Sequence, residues 1–163
     1  MLKKLGWVLL ILVVAIQFFR PEKNIHPETS AVAKDISTLY PVPDKVKDIL
    51  KTSCNDCHSN NTAYPWYSNF QPVAWWLNDH VQEGKRELNF NEFAGYRLRK
   101  QYHKLEEIVE QVKEGEMPLK SYTLVHGNAK LTEDQKYTLT AWSEALLDSM
   151  RAHYPIDSLQ KKK

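Results

Sequence analysis

Cys54-Asn55-Asp56-Cys57-His58 is the stretch on which the reading of this chain turns. A C-x-x-C-H run is the attachment pattern of c-type haem. Thiols three positions apart lie one helical turn apart, a spacing that suits the two vinyl groups on one porphyrin edge. The histidine that follows is placed to ligate iron through an imidazole nitrogen. Rival chemistries fit less well. A structural zinc site needs a fourth ligand and usually a second paired motif; His80 is a candidate, yet the chain has only two cysteines. A thioredoxin-like redox pair belongs in a βαβ surround, and a disulfide closing so short a loop adds little. The expected cofactor is one covalently held haem c, bound through Cys54, Cys57 and His58.

Outward from the motif the pattern is helical. Asp44 can cap a helix in which Val46, Ile49 and Leu50 share a face and which runs into Cys54. Pro72 suits a first turn and Gly84 an end, bracketing a helix over Val73 to Glu83. From Glu92 to Glu114 apolar residues recur at alternating four- and three-residue steps (Leu98, Tyr102, Leu105, Val109, Val112), and Gly115 stops the run. Thr132 with Gln135 predicts a capping box for a last helix carrying Leu139, Trp142, Leu146 and Met150 along one side. No segment alternates as a strand, so the fold class is all-α.

At 163 residues, 42% hydrophobic and 26% charged, the chain suits one globular domain and excludes disordered or collagen-like architectures. Its 22 basic and 20 acidic residues leave a net charge of +2, which gives no electrostatic case for nucleic acid. After Lys3 and Lys4, residues 5–19 are apolar except Gly6 and Gln17. That run is shorter than the roughly 20 residues of a spanning helix, but flanking lysines and Arg20 can snorkel to extend it. A signal peptide is the alternative. No small residues close the apolar run, and Ala31-Val32-Ala33 lies too far downstream for cleavage. Residues 1–20 therefore read as an N-terminal transmembrane anchor. The lysines before it keep the N-terminus cytoplasmic and place the domain in the periplasm of a bacterial inner membrane. Residues 21–43, with Pro21, Pro27, Pro41 and Pro43, read as a tether. Residues 44–152 form the haem-binding domain, and 153–163 read as a solvated basic tail ending in Lys161 to Lys163.

The chain resembles the haem-binding domain family of exported bacterial c-type cytochrome-like proteins. The resemblance rests on Cys54-Asn55-Asp56-Cys57-His58-Ser59-Asn60, Tyr64-Pro65-Trp66-Tyr67, and Pro72-Val73-Ala74-Trp75-Trp76-Leu77 with His80. It continues through Leu88-Asn89-Phe90 and Gly115-Glu116-Met117-Pro118 to the final helix bearing Trp142. It implies a single covalent haem on a small helical domain similar to class I cytochrome c, and no particular reaction. The stretch between His58 and Met117 departs from small cytochromes in being long and aromatic.

Met117 is the expected second axial ligand. It follows a helix-ending Gly115 and precedes Pro118, which stiffens the loop. Class I cytochromes, which the chain resembles, present their distal methionine in a similar Met-Pro loop. Met150 falls at core spacing on the last helix. His80 shares a helical face with Val73, Trp76 and Leu77, and His126 stands in the loop before Gly127; both are alternative ligands. His103 lies off the apolar stripe of its helix, among charges. Nine aromatic residues between 64 and 96 read equally as a porphyrin wall or as an ordinary core. Arg97, Arg99, Lys100 and Lys104 lead the third helix and four glutamates follow, so both halves oppose the helix dipole. Either that helix breaks near His103, or the basic cluster answers haem propionates or an acidic partner, or it is a solvated face. The function these residues predict is that of an electron carrier and not an enzyme, working with a redox partner protein at the membrane or in the periplasm. The alternative is a haem enzyme of peroxidase type, or a gas or redox sensor, with an open distal position.

Overall fold

The apolar spacing read from residue 44 onward is realised as helices. The computed structural model describes residues 1–26 and 32–160; Pro27, Ala31 and the Lys161 to Lys163 tail lie outside the described residues. Helix α1 spans Leu2–Ile16, α2 Asp44–Ser53, α3 Asn55–His58 and α4 Val73–Glu87. Helix α5 spans Leu98–Glu114, α6 Lys120–Val125, α7 Glu133–His153 and α8 Ile156–Leu159. Short 3-10 turns fill the connections, and the one β-bridge among the described residues joins Ile25 to Asn61. The fold is all-α.

Helices α5 and α7 pack along each other and carry most of the core. Tyr102, Leu105 and Val112 of α5 meet Leu139, Trp142, Leu146 and Met150 of α7, with Val46, Ile49 and Leu50 of α2 closing the side. Two polar groups that enter this core are matched, whereas the buried Ser143 hydroxyl of α7 has no partner among the described residues. Trp142 Nε1 donates to the Pro41 carbonyl at 3.0 Å, and the Tyr102 hydroxyl accepts from Arg151 Nε at 2.8 Å. The capping box at Thr132 and Gln135 is present in both directions. Asp44 lies inside the first turn of α2, paired with Lys47, while Pro43 occupies the cap.

Gly115 ends α5 in the left-handed conformation, φ 73°. The helix is unbroken at His103, and its basic half finds partners one by one. Arg99 donates to the Asp157 carbonyl, Lys100 sits over the Tyr96 ring at 3.9 Å, and Lys104 bridges Glu87 and Glu107. These contacts offset the unfavourable dipole.

Both ends of the chain depart from their sequence readings. The segment after α1 is no loose tether where it is described. Asn24 is buried and donates its side-chain amide to the Ser59 carbonyl and Thr62 Oγ1, both at 2.9 Å, while Lys85 donates to its Oδ1. Ile36 joins the core. Beyond residue 153 the chain turns into α8, and Leu159, 1% exposed, plugs the core beside α5. Local composition hides both, because each depends on a surface far away in sequence. The N-terminal run also differs from expectation. No helix among the described residues is long and apolar enough to cross a membrane. Helix α1 has 15 residues, and it stops where the Gln17 side chain turns to Gln71.

Replacing Thr132 by Ala removes one side of the capping box and should lower unfolding free energy by about 1 kcal/mol. A urea titration would read this as a lower midpoint with an unchanged slope.

Candidate functional site

Helix α2 delivers Cys54, and the single turn of α3 carries Asp56, Cys57 and His58. Both thiols are free. Burial pushes Cys54 up to about 12, reinforced by Cys57; burial and the Asp56 carboxylate push Cys57 up to about 11. At neutral pH both are therefore neutral thiols.

Helix α4 lies directly against α3, and Gly84 makes that approach. A Cβ at position 84 would fall 2.7 Å from the Cys57 carbonyl oxygen and 2.9 Å from Cys57 Cβ, closer than side chains tolerate. By its sequence position this glycine predicts a helix end. The helix instead continues to Glu87, and the glycine is there for clearance. The inner side of α4 carries Ala74 and Val81, whereas Val73 and Trp76 are exposed.

The close approach brings the end of α4 under His58. Its Nδ1 lies 3.0 Å from the Gly84 carbonyl and 2.9 Å from that of Leu88. Two carbonyls facing one nitrogen require that nitrogen to carry the proton, so Nε2 holds the lone pair. Burial pulls the His58 pKa down, keeping the ring neutral. The turn that follows Leu88 is itself tied to the residues after His58. Asn89 donates from Nδ2 to Asn60 Oδ1 at 2.8 Å, and Asn60 N donates to Asn91 Oδ1 at 2.8 Å. Such outer hydrogen bonds fix ring orientation and raise ligand basicity in metal-bound histidines.

These residues line a cavity of about 570 Å³, within the roughly 300–1,000 Å³ typical of small-molecule sites. Cys54, Cys57 and His58 share its wall with Met117, and Leu50, Leu88, Phe90, Ile108, Leu131 and Leu139 supply apolar surface. Met117 is anchored from both sides. Its N–H donates to the Gln111 carbonyl at the end of α5, at 3.1 Å. Beyond Pro118, α6 brings the Tyr122 hydroxyl to Asp56 Oδ2 at 2.7 Å, a bond that reaches back between the two cysteines. Burial, together with that carboxylate, raises the Tyr122 pKa and keeps the phenol a donor.

His80 also borders the cavity, with Nδ1 2.8 Å from its own helix carbonyl at Trp76 and its ring against the Trp76 indole. His126 is not among the lining residues. It stacks on Tyr122 at 4.5 Å, and its Nε2 meets the Tyr67 hydroxyl. Met150 is buried in the core. His103 is at the cavity rim with Glu107 on Nε2, 3.1 Å away. Of the nine aromatic residues between 64 and 96, Phe90 alone lines the cavity. Phe90 and Phe93 are buried in the core with Tyr96 packed against it, whereas Trp66, Phe70, Trp75 and Trp76 face outward, so the aromatic stretch divides between core and surface. Lys104 also reaches the cavity. Burial pulls its pKa down, but hydrogen bonds to Glu107 and Glu87 outweigh this and raise it.

Gly84, Leu88, Asn89, Asp56 and Tyr122 act on the site without appearing among the sequence candidates. Asp56 stands inside the C-x-x-C-H stretch, and Leu88 and Asn89 inside the Leu88-Asn89-Phe90 run, but neither run by itself assigns them a role. The donor set fits a porphyrin: two neutral thiols and an oriented neutral imidazole at one side, a thioether on the same cavity, and an apolar lining. The haem-binding domain family matches residues 11–145 of the chain. No curated protein and no solved structure matches it.

Two outcomes follow from this packing. Gly84→Ala should destabilise the fold by about 1–3 kcal/mol, because α3 and α4 must separate; thermal unfolding checks it. In the full chain produced without haem, alkylation of Cys54 and Cys57 at pH 8 should run roughly tenfold or more slower than in urea. The native rate should keep rising with pH up to about 11, where Cys57 ionises.

Proposed function

Because the chain belongs to the haem-binding domain family, we propose that it holds one haem c covalently and serves as an electron carrier. The observation that carries the reading is the His58 ring, fixed by two backbone carbonyls beside two free thiols on one cavity. Cys54 and Cys57 would hold the porphyrin edge as thioethers, with His58 Nε2 on the iron and Met117 as the second ligand. The haem supplies a reversible one-electron couple when bound.

The protein's own work is positioning. Gly84 and Leu88 set the imidazole tautomer, the Gln111 carbonyl and the Tyr122–Asp56 bond hold the methionine loop, and the apolar wall excludes water. A methionine ligand and the apolar part of the wall both favour the reduced form and raise the potential. The order of a helix leading into C-x-x-C-H, followed by a Met-Pro loop after a long helix, supports a class I cytochrome c-like arrangement.

Helix α1 supports a membrane-held domain in the periplasm. It buries no residue and is apolar on every side, a pattern that belongs in lipid or in a protein core. Lys3 and Lys4 stand at one end and Arg20 just past the other, where long basic side chains can reach lipid headgroups. Electrons would pass to and from a redox partner protein at that surface.

The test is a visible spectrum of the full chain made in a host with c-type haem maturation. The expected result is a c-type spectrum unmoved by CO in the reduced state. Met117→Ala should keep the haem attached yet open a CO-binding position, while Cys54→Ala and Cys57→Ala should each weaken or abolish attachment under denaturing electrophoresis. A wild-type spectrum that shifts with CO would replace the carrier by the enzyme or sensor. Absence of covalent haem would return the cysteines to thiol chemistry.

A further inference from the structure

The exit of α1 is fastened to the start of α4. Gln71 N donates to Gln17 Oε1 at 2.9 Å, and the Phe19 carbonyl accepts from Gln71 Nε2 at 2.7 Å and Trp75 Nε1 at 2.8 Å. Around this junction the surface is aromatic. Phe18, Phe19, Trp66, Phe70 and Trp75 are all exposed, Trp66 by 76% and Phe70 by 56%. Trp66 and Phe70 meet edge to face at 6.1 Å, so they form part of one patch. Single exposed apolar residues are ordinary, but five large exposed rings around one helix exit mark an interaction surface.

Its place in the chain says what covers it. The patch surrounds the end of an apolar helix, and amphipathic rings collect at the boundary between lipid tails and water. Basic residues stand at the same level. Arg20 directly follows Phe19, and Lys23 lies on Asn69 at 3.2 Å and over the Tyr64 ring. Cations there complement headgroup phosphates.

We propose that this aromatic collar is seated in the headgroup layer of the bilayer that receives α1, so that the domain lies on the membrane in one orientation. The inference rests on the reading that α1 enters lipid, and the test separates the two. The full chain with its haem is bound to vesicles of phosphatidylethanolamine and phosphatidylglycerol, and hydroxyl-radical oxidation is read by mass spectrometry. Tyr137 on α7, 73% exposed, is the reference. Oxidation of Trp66 and Phe70 should fall several-fold in vesicles while that of Tyr137 stays unchanged. Trp66→Glu with Phe70→Glu, both at exposed positions, should leave vesicle binding intact and return Trp75 oxidation to its lipid-free level. A chain that binds vesicles with Trp66 and Phe70 fully oxidised swings freely, which overturns the collar and keeps the membrane reading. A chain that stays off the vesicles defeats both. Protection that is already complete before lipid is added assigns the collar to a second copy and also overturns the proposal.

Discussion

Contact between α3 and α4 at Gly84 governs the geometry of the site. The helices meet backbone to backbone, because no side chain stands between the Cys57 carbonyl and the Gly84 Cα. That closeness lets carbonyls from the last turns of α4 reach His58 Nδ1. A longer approach would leave the imidazole free to rotate and to change tautomer. Packing, proton placement and ligand orientation thus come from one missing methyl group.

The Met117 side of the cavity is organised differently. It depends on a loop, and a loop needs fixing at more than one place to hold a thioether still. Gln111 fixes it before the methionine, and Tyr122 ties it back to Asp56 after it. His126 stacks behind Tyr122 and is itself met by Tyr67. The chain Asp56, Tyr122, His126, Tyr67 links the cysteine turn to the loop and then to the aromatic segment. Since Asp56 sits between the two thiols, the two sides of the cavity share one hydrogen-bonded frame.

Much of this was legible in the sequence where the signals are local. The capping box, the stop at Gly115, the apolar stripe of α5 and the C-x-x-C-H spacing each lie within a few residues of what they specify. What stayed hidden depends on partners far off in the chain. Gly84 looked like a helix end because its neighbour, Cys57, is 27 residues earlier. Residues 21–43 looked like a spacer because Asn24 finds its acceptors at 59 and 62, and Leu159 looked solvated because its pocket is made by α5 and α7. The aromatic stretch misled for another reason: composition reports that rings are present, not which way they face.

Helix α4 joins the two halves of this molecule. Its first turn holds the exit of α1 through Gln71 and Trp75, and its last turns hold the imidazole. A helix rises about 1.5 Å per residue, so the step from Trp75 to Gly84 is roughly 14 Å. The helix therefore works as a ruler. With the collar seated as proposed, the separation of His58 from it along α4 is a fixed length set by residue count. Inserting or deleting a turn of α4 would change that separation while leaving Cys54, Cys57, His58 and Met117 in place.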